Sequence, residues 1–238
     1  MLELARKIAP VSVKNIVRRV RDAFQWDQWQ QRSWSQEGED QILRRIFEGQ
    51  QSGFYVDVGA HHPMRFSNTY LFYRLGWSGI NIDAMPGSMR AFCKKRPRDI
   101  NIEIGVGLEA GEMEYYIFNE PALNGFSKKL SMEIVDNFCN YKIIDVKTIK
   151  VESLEKILES NLKLDQIIDF LTIDVEGFDF EVLKSNNWNK YRPRYVLVEL
   201  FESSLHKVDR ESVVEFMIGR GYAIYAKCVN TVFFKCVV

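Results

Sequence analysis

The sequence lacks the features of a membrane-spanning or disulfide-stapled protein. No apolar run approaches the ~18 residues that a transmembrane helix needs, so we expect no membrane span. The start of the chain has no continuous apolar core and no small-residue cleavage site, so we expect no secretory signal. The four cysteines show no C-x-x-C spacing, which favours reduced thiols in a cytoplasmic protein. They are Cys93, Cys139, Cys228 and Cys236.

An excess of charge of one sign is also missing. The 32 basic and 32 acidic residues cancel, which argues against a protein that grips nucleic acid by positive charge alone. Residues 1–34 are the exception, with seven basic side chains against three acidic ones. Apolar residues recur there at helical spacing, so we predict a basic helical arm at 1–34 ahead of one domain at 35–238. We expect the arm to pack on its own domain or on a second copy as a homodimer, the alternative being peripheral contact with an anionic membrane.

Apolar, β-branched segments alternate with segments of helical periodicity over residues 35–238. Strands are predicted at 53–58, 79–82, 100–104, 112–118, 168–173, 195–200, 222–227 and 231–237. Helices are predicted at 36–47, 67–75 (with Ser67 as N-cap), 88–95, 130–138, 153–162, 178–184 and 211–220. The pattern predicts an α/β protein: a mostly parallel sheet with helices on both faces and an antiparallel C-terminal hairpin at one edge.

Acidic residues stand at the ends of four predicted parallel strands. They are Asp57, Asp83, Asp174 with Glu176, and Glu199. Ligands of such sheets bind at the carboxyl ends of the strands, and an unpaired buried carboxylate is costly, so these acids predict a site rather than packing.

The glycine-rich G-x-G-x-x-G turn of dinucleotide-binding proteins is absent. The first strand is followed by Gly59 alone, then Ala60 and His61. An acid before Gly59 would repel a phosphate, but it suits S-adenosylmethionine, which has no phosphate and carries an ammonium and a sulfonium. Gly59 lets the backbone approach a ligand closely. Asp83 lies 24 residues after Gly59, near the spacing at which an acid takes ribose hydroxyls.

Five stretches give the chain a family resemblance over about residues 35–235. The stretches are FYVDVGAHHP, FSNTYLFYRLGWSGINIDAMP, KKRPRDINIEIGVG, FLTIDVEGFDFEVLKSNNW and YRPRYVLVEL. In order and spacing they resemble the FkbM family of S-adenosylmethionine-dependent methyltransferases. The resemblance implies a class I, Rossmann-like methyltransferase fold, with transfer often to a hydroxyl of a sugar or polyketide-like acceptor.

The resemblance and the acidic residues at the strand ends together predict the cofactor-binding residues. They are Asp57, Gly59, Ala60, His61, Asn68, Thr69, Asp83, Ala84, Gly105 and Asp174. Ala84 departs from many relatives, which have proline or asparagine nearby, and this departure concerns the adenine side of the site.

Catalysis of transfer to a hydroxyl needs a group that takes the hydroxyl proton. Asp174, Glu176 and His62 are the predicted catalytic residues, with His62 as a base or a hydrogen-bond donor. Asp174 and Glu176 could instead hold a divalent cation that lowers the pKa of the acceptor. The sequence does not distinguish a role as a base from a role as a metal ligand for these two residues, and we predict no metal site.

Acceptor contacts are expected from a polar loop and from the end of the fifth parallel strand. The loop at 119–129 has the composition of a lid and offers Asn124 and Ser127, while Glu199 and His206 are expected at the mouth. We therefore predict O-methylation of a sugar hydroxyl in a glycan or polysaccharide precursor. The alternatives are an NAD-linked oxidoreductase and a non-catalytic module that binds a glycan or a membrane.

Overall fold

Strands and helices alternate through most of the chain, as the apolar pattern predicts. The computed structural model describes residues 30–200, 204–208 and 211–237. The strands there are β1 (Phe54–Val58), β2 (Ser78–Asp83), β3 (Ile100–Glu103), β4 (Gly105–Val106), β5 (Gly111–Phe118), β6 (Ile143–Glu152), β7 (Phe170–Ile173), β8 (Tyr195–Glu199), β9 (Tyr222–Lys227) and β10 (Thr231–Cys236). The helices are α1 (Glu39–Ile46), α2 (Tyr70–Arg74), α3 (Met89–Lys95), α4 (Lys128–Asn137), α5 (Leu154–Asn161), α6 (Asp179–Lys184), α7 (Leu205–Val208) and α8 (Ser212–Ile218).

The main sheet has seven strands in the order β3-β2-β1-β7-β8-β10-β9. Strands β3, β2, β1, β7 and β8 run parallel, so that Val56 of β1 pairs with Ile80 on one side and Leu171 on the other. Strand β10 is antiparallel to both β8 and β9. The predicted fold class is therefore confirmed, with the reversed strand lying one place in from the edge.

Two apolar cores cover the two faces of this sheet. Val56 and Val58 point to one face, where the strands pack against α5, α6 and α8. Tyr55 points to the other face, where it joins Phe170 and residues of α1 and α2. Successive side chains of a strand alternate in direction, so each strand supplies both cores. Complete burial of each large apolar side chain contributes about 1.5–3 kcal/mol.

A second sheet of three strands, in the order β4-β6-β5, was not predicted. Strand β5 was expected, but β6 at the centre of this sheet was missed. Most side chains of β6 are exposed, so the strand shows no buried alternation that a sequence pattern could reveal. It is held by antiparallel backbone pairing along the full length of β5 and by parallel pairing with β4.

The start of α2 corrects the prediction of Ser67 as its N-cap. The helix begins at Tyr70, and Thr69 occupies the cap position without a side-chain cap bond. The Ser67 hydroxyl still accepts a hydrogen bond from the Tyr70 N–H at 3.0 Å. Ser67 therefore supports the first turn from a position outside the helix.

Residues from Ser33 to Val238 form one compact unit. Of the predicted arm at 1–34, residues 1–29 lie outside the described residues. Trp34 belongs to the compact unit, because its carbonyl accepts the Ser67 N–H at 3.0 Å and its ring contacts Tyr70. No helix in the described ranges is long and apolar enough to cross a membrane.

A buried ion pair holds the connection between α3 and β3 against β1. The side chains of Arg96 and Asp99 are fully buried, and Arg96 Nε donates to Asp99 Oδ2 at 2.7 Å. Tyr55 and the backbone N–H of Gly79 also donate to Asp99, at 2.9 and 3.0 Å. Both charges are thus paired and hydrogen-bonded, which is the condition for burying them.

Replacing Arg96 with leucine should strongly destabilise the protein. Asp99 would be left buried with no opposite charge, so we expect the free energy of unfolding to fall by about 3–5 kcal/mol. Urea unfolding at pH 7 measures this change. Arg45→Leu is the matched control, because Arg45 pairs with Glu48 in solvent and should cost less than about 0.5 kcal/mol. Equal losses in the two variants would contradict the assignment.

Candidate functional site

A cavity of about 470 Å³ opens at the carboxyl ends of β1, β2 and β7. Parallel strands end at one edge of the sheet, which is where open α/β sheets bind ligands. The second sheet and the segment after β5 supply the facing wall, through Tyr115, Asn124 and Phe126. The cavity therefore lies between the parallel sheet and the three-stranded sheet.

The turn after β1 is packed against the end of β7 with no room for a side chain. Gly59 has a φ of 82°, and a Cβ there would lie 1.8 Å from the carbonyl oxygen of Asp174. The N–H groups of Gly59 and Ala60 both donate to the Ile82 carbonyl at 3.0 Å. These contacts bring the ends of β1, β2 and β7 together at the cavity floor.

Asp83 lines the cavity and is held in place by backbone donors. Its Oδ2 accepts the His61 N–H at 2.8 Å, and its Oδ1 accepts the Met85 N–H at 2.9 Å. Burial raises the pKa of this carboxyl, and the two N–H bonds act in the opposite direction. Each oxygen keeps one acceptor site for a ligand hydroxyl, as expected of the acid that takes a ribose.

Four of the predicted cofactor-binding residues do not line the cavity. They are Asp57, Ala60, Asn68 and Thr69. Asp57 points to the sheet face of Tyr55, where its Oδ2 accepts the Thr69 hydroxyl at 2.6 Å. Asn68 donates to Thr172 at 3.0 Å on the same face. Burial raises the pKa of Asp57 to about 6. The side chains of Asp57, Asn68 and Thr69 hold the start of α2 against the sheet. The other six predicted residues line the cavity: Gly59, His61, Asp83, Ala84, Gly105 and Asp174.

The two histidines of the turn differ in what they offer a ligand. His61 has a φ of 50°, and its Nε2 is buried without a hydrogen-bond partner among the described residues. His62 Nδ1 accepts the N–H groups of Met64 and Arg65 at 3.1 and 2.9 Å. Burial, followed by the Arg65 charge, lowers the pKa of both rings. Neutral His62 therefore carries its proton on Nε2, which favours a donor over a base.

Three carboxyl groups converge beside the cavity. Asp174, Glu176 and Glu199 each place an oxygen within 4.8 Å of the others. Asp174 and Glu176 line the cavity, whereas Glu199 does not, and its buried Oε2 has no hydrogen-bond partner among the described residues. Desolvation raises the pKa of Asp174 to about 6. Desolvation and then repulsion by Asp174 raise the pKa of Glu176 to about 8 and that of Glu199 to about 10.

The carboxyl cluster can act in two chemical ways. Its oxygens are hard ligands in the right number and proximity to take part in holding a divalent cation. Without a cation, the separated pKa values leave one ionised carboxylate beside protonated partners. Asp179 supports the loop from below, accepting the N–H groups of Val175 and Gly177 at 3.3 and 3.1 Å.

Residues of the second sheet and its loop complete the cavity wall. Tyr115 is buried in the wall, where desolvation and then the charges of Asp83 and Glu176 raise its pKa. Asn124 lines the cavity, with its Oδ1 accepting the Phe118 N–H at 2.8 Å. Ser127 does not line it, because its hydroxyl caps α4 by accepting the Leu130 N–H.

Several wall residues were not anticipated from the sequence. They are Gln36, Arg65, Phe66, Met85, Tyr115 and Phe126. Tyr115 lies in the strand predicted at 112–118, which is a usable signal, whereas the others lie in turns without periodicity. His206 falls in the short helix α7, and its side chain lies outside the described residues.

Comparison with known proteins identifies the family. A model of the methyltransferase FkbM domain matches residues 57–224, which is most of the chain. The chain belongs to the FkbM methyltransferase family. The predicted S-adenosylmethionine-dependent methyltransferase and its cofactor are thereby confirmed. No curated protein matches the chain.

Solved structures resemble this FkbM methyltransferase loosely. A TehB-like SAM-dependent methyltransferase from Corynebacterium glutamicum is 9% identical, with 96% of this chain and 100% of that chain covered and a TM-score of 0.42. An O-methyltransferase from Bacillus cereus in complex with SAH is 11% identical, with 97% and 93% covered and a TM-score of 0.41.

The residues of the FkbM cavity fit S-adenosylmethionine. Asp83 retains acceptor sites for ribose hydroxyls, and the buried Nε2 of His61 lacks a partner that a ligand could supply. The acidic side chains suit a cofactor whose reactive part is a cation, and no side chain at Gly59 obstructs the turn.

Gly59→Ala should abolish cofactor binding. The new Cβ would collide with the Asp174 carbonyl, so the turn must move away from the cavity floor. Calorimetric titration with S-adenosylhomocysteine measures the loss, and thermal unfolding measures stability. Gly76→Ala is the control, because Gly76 also has a positive φ but its Cβ would meet nothing within 4 Å. That variant should lose about 1 kcal/mol of stability and keep its affinity. Retained affinity in Gly59→Ala would contradict the geometry.

The raised pKa values of the carboxyl cluster predict that the protein loses stability as pH rises. Folding raises the pKa of Glu176 to about 8 and that of Glu199 to about 10, from about 4.3 in unfolded chains. Between about pH 5 and pH 8 the folded state therefore binds more protons than the unfolded state, and the free energy of unfolding falls with pH. In EDTA at pH 8, Glu199→Gln should raise the melting temperature by about 2–4 °C.

The same substitution should change the melting temperature little at pH 5, because ionisation of the Glu199 carboxyl in the unfolded chain, with a pKa of about 4.3, has there stabilised the unfolded state only slightly. Glu159→Gln is the control, because lysines at 156 and 190 lower the pKa of this exposed carboxyl to about 2. It should raise the melting temperature at neither pH. An equal rise at pH 5 and pH 8 for Glu199→Gln would show that charge is not the cause.

Proposed function

We propose that this FkbM methyltransferase transfers a methyl group to a hydroxyl of a sugar, within a glycan or polysaccharide precursor. The observation that carries the proposal is the carboxyl cluster of Asp174, Glu176 and Glu199 beside the cavity. A hydroxyl becomes a good nucleophile as a base takes its proton, and several oxygen acceptors in one place suit a polyhydroxylated ligand.

The cofactor half of the cavity is assigned to the turn after β1 and the end of β2. Asp83 would accept the ribose hydroxyls, Ala84 and Met85 would lie beside the adenine, and His61 Nε2 would bond a polar atom of the ligand. Bound S-adenosylmethionine supplies an activated methyl group on a sulfonium. Positioning of the acceptor by the chain then provides much of the rate.

The proton-transfer roles follow from the pKa values of the cluster. All three carboxyls have pKa values raised by desolvation, and Asp174 is the most exposed of them and shows the smallest rise, so it is the member that ionises first. Asp174 is therefore the group that takes the acceptor proton. Glu176 is the group that donates a hydrogen bond to the acceptor, and Glu199 keeps its proton.

The proposal extends to the surroundings of the enzyme. The four cysteines form no disulfide among the described residues, which supports the proposal of a reducing cytoplasm. A homodimer is the proposed assembly, with contact of the protein to an anionic membrane as the alternative. Mass measurement in solution, with and without anionic vesicles, separates these arrangements.

Two substitutions separate chemistry from cofactor binding. Asp174→Asn should lower kcat about 10²- to 10⁴-fold while S-adenosylhomocysteine still binds, because the base is lost. Asp83→Asn should weaken S-adenosylhomocysteine about tenfold, because the ribose loses a charged acceptor. Transfer of tritiated methyl to a panel of methyl pyranosides measures turnover, and calorimetry measures affinity.

The control assay compares EDTA with added Mg²⁺. Turnover in EDTA supports Asp174 as a base, whereas strict dependence on Mg²⁺ assigns the cluster to a cation. Transfer to phenols but to no pyranoside would reject the sugar acceptor. Full activity of Asp174→Asn would remove Asp174 from the chemistry.

A further inference from the structure

We propose that Phe66 is the surface on which the sugar ring of the acceptor packs, and that it thereby determines acceptor specificity. This inference rests on the proposed function and names the residue that selects its substrate. The predicted acceptor contacts are all polar, and none of them offers an apolar surface to the face of a ring.

Phe66 is exposed in a place where exposure is unusual. Its side chain is 41% accessible, and among the exposed large apolar residues of the described chain it alone lines the cavity. The other apolar wall residues that the cavity shares with the core, such as Val58 and Ile82, are buried. An apolar ring left open to a cavity is a candidate ligand contact.

The backbone of Phe66 is held in a conformation that bulky residues avoid. Its φ is 57°, in the left-handed region. Four non-glycine residues of the described chain have positive φ, and three of them, His61, Phe66 and Glu176, line this cavity. Such conformations cluster at binding sites, where the surrounding structure must enforce them. The strain at Phe66 accompanies a ring directed at the cavity instead of the core.

Neighbouring side chains fix the orientation of the Phe66 ring. The Arg65 guanidinium lies 4.2 Å from the ring centre. Arg65 is itself anchored to Glu120 at 3.1 Å, across the mouth of the cavity. The His61 ring lies nearly parallel to Phe66, at 22° and a centre distance of 6.3 Å. A ring that is fixed before binding loses little entropy when a ligand packs on it.

The charges around Phe66 favour a neutral ring over the cofactor cation. Arg65 already places a positive charge on the ring, so a sulfonium there would meet a like charge. A pyranose is neutral, with apolar C–H groups on its faces and hydroxyls on its rim. Phe66 can take a face while Asp174, Glu176 and Asn124 of the same cavity take rim hydroxyls.

The test compares three variants in the full chain. Phe66→Gly removes the ring and relieves the backbone, since glycine adopts positive φ freely, so this variant should fold. Phe66→Tyr keeps the ring. Phe138→Ala is the matched control, because Phe138 is 56% exposed and does not line the cavity. The probes are S-adenosylhomocysteine by calorimetry and the methyl pyranoside that the wild type methylates fastest.

We expect Phe66→Gly to raise the KM for the pyranoside roughly fivefold to tenfold. Its kcat should change less than its KM, and its S-adenosylhomocysteine affinity and melting temperature should stay near those of the wild type. Phe66→Tyr and Phe138→Ala should match the wild type in KM. This split of KM from kcat is a signature that a purely structural role would not produce.

Each other result overturns the inference in a recognisable way. An unchanged KM in Phe66→Gly, with pyranosides still methylated, rejects the Phe66 contact and leaves the proposed function intact. Weakened S-adenosylhomocysteine binding in that variant assigns Phe66 to the cofactor instead. If the wild type binds S-adenosylhomocysteine but methylates no pyranoside, the proposed acceptor class fails and this inference fails with it.

Discussion

The site depends on the close approach of the turn after β1 to the end of β7. The backbone at Gly59 lies so near the Asp174 carbonyl that no side chain fits between them. This approach places the Asp83 side, where the cofactor is assigned, next to the carboxyl groups that follow β7. This approach follows from the parallel arrangement, because the carboxyl ends of neighbouring parallel strands lie at the same edge of the sheet. In the proposed arrangement, cofactor and acceptor share one cavity because these two strands are neighbours.

The electrostatics of the site follow from the same crowding. Carboxyl groups with their oxygens within 4.8 Å cannot all ionise in a partly dehydrated environment. Crowding and desolvation therefore raise the pKa values of all three carboxyls above their ordinary range. The Nδ1 atom of His62 accepts two backbone N–H groups, so this nitrogen is not available to take a proton.

Much of this architecture could be predicted from the sequence, because buried apolar residues recur at a regular spacing along strands and helices. The parallel strands and their helices were predicted within a few residues, since their apolar side chains repeat at strand or helix spacing. Strand β6 shows no such spacing, because it is held by backbone pairing and most of its side chains are exposed. Asp83 and Asp174 were found as acids at strand ends. Asp57 and Thr69 were assigned to the cofactor, but the alternation of β1 turns Asp57 to the other face, where it accepts the Thr69 hydroxyl. Phe66 lies in a turn where only the three-dimensional course of the chain reveals its exposure.

The three-stranded sheet is formed by one uninterrupted stretch of chain, from Gly105 to Glu152. Its strands pair only with one another, while the seven-stranded sheet is complete without them. The stretch nevertheless contributes Tyr115, Asn124 and Phe126 to the wall opposite the acids. A change in the sequence of this stretch would therefore reshape the wall opposite the acids without breaking a strand pairing of the seven-stranded sheet.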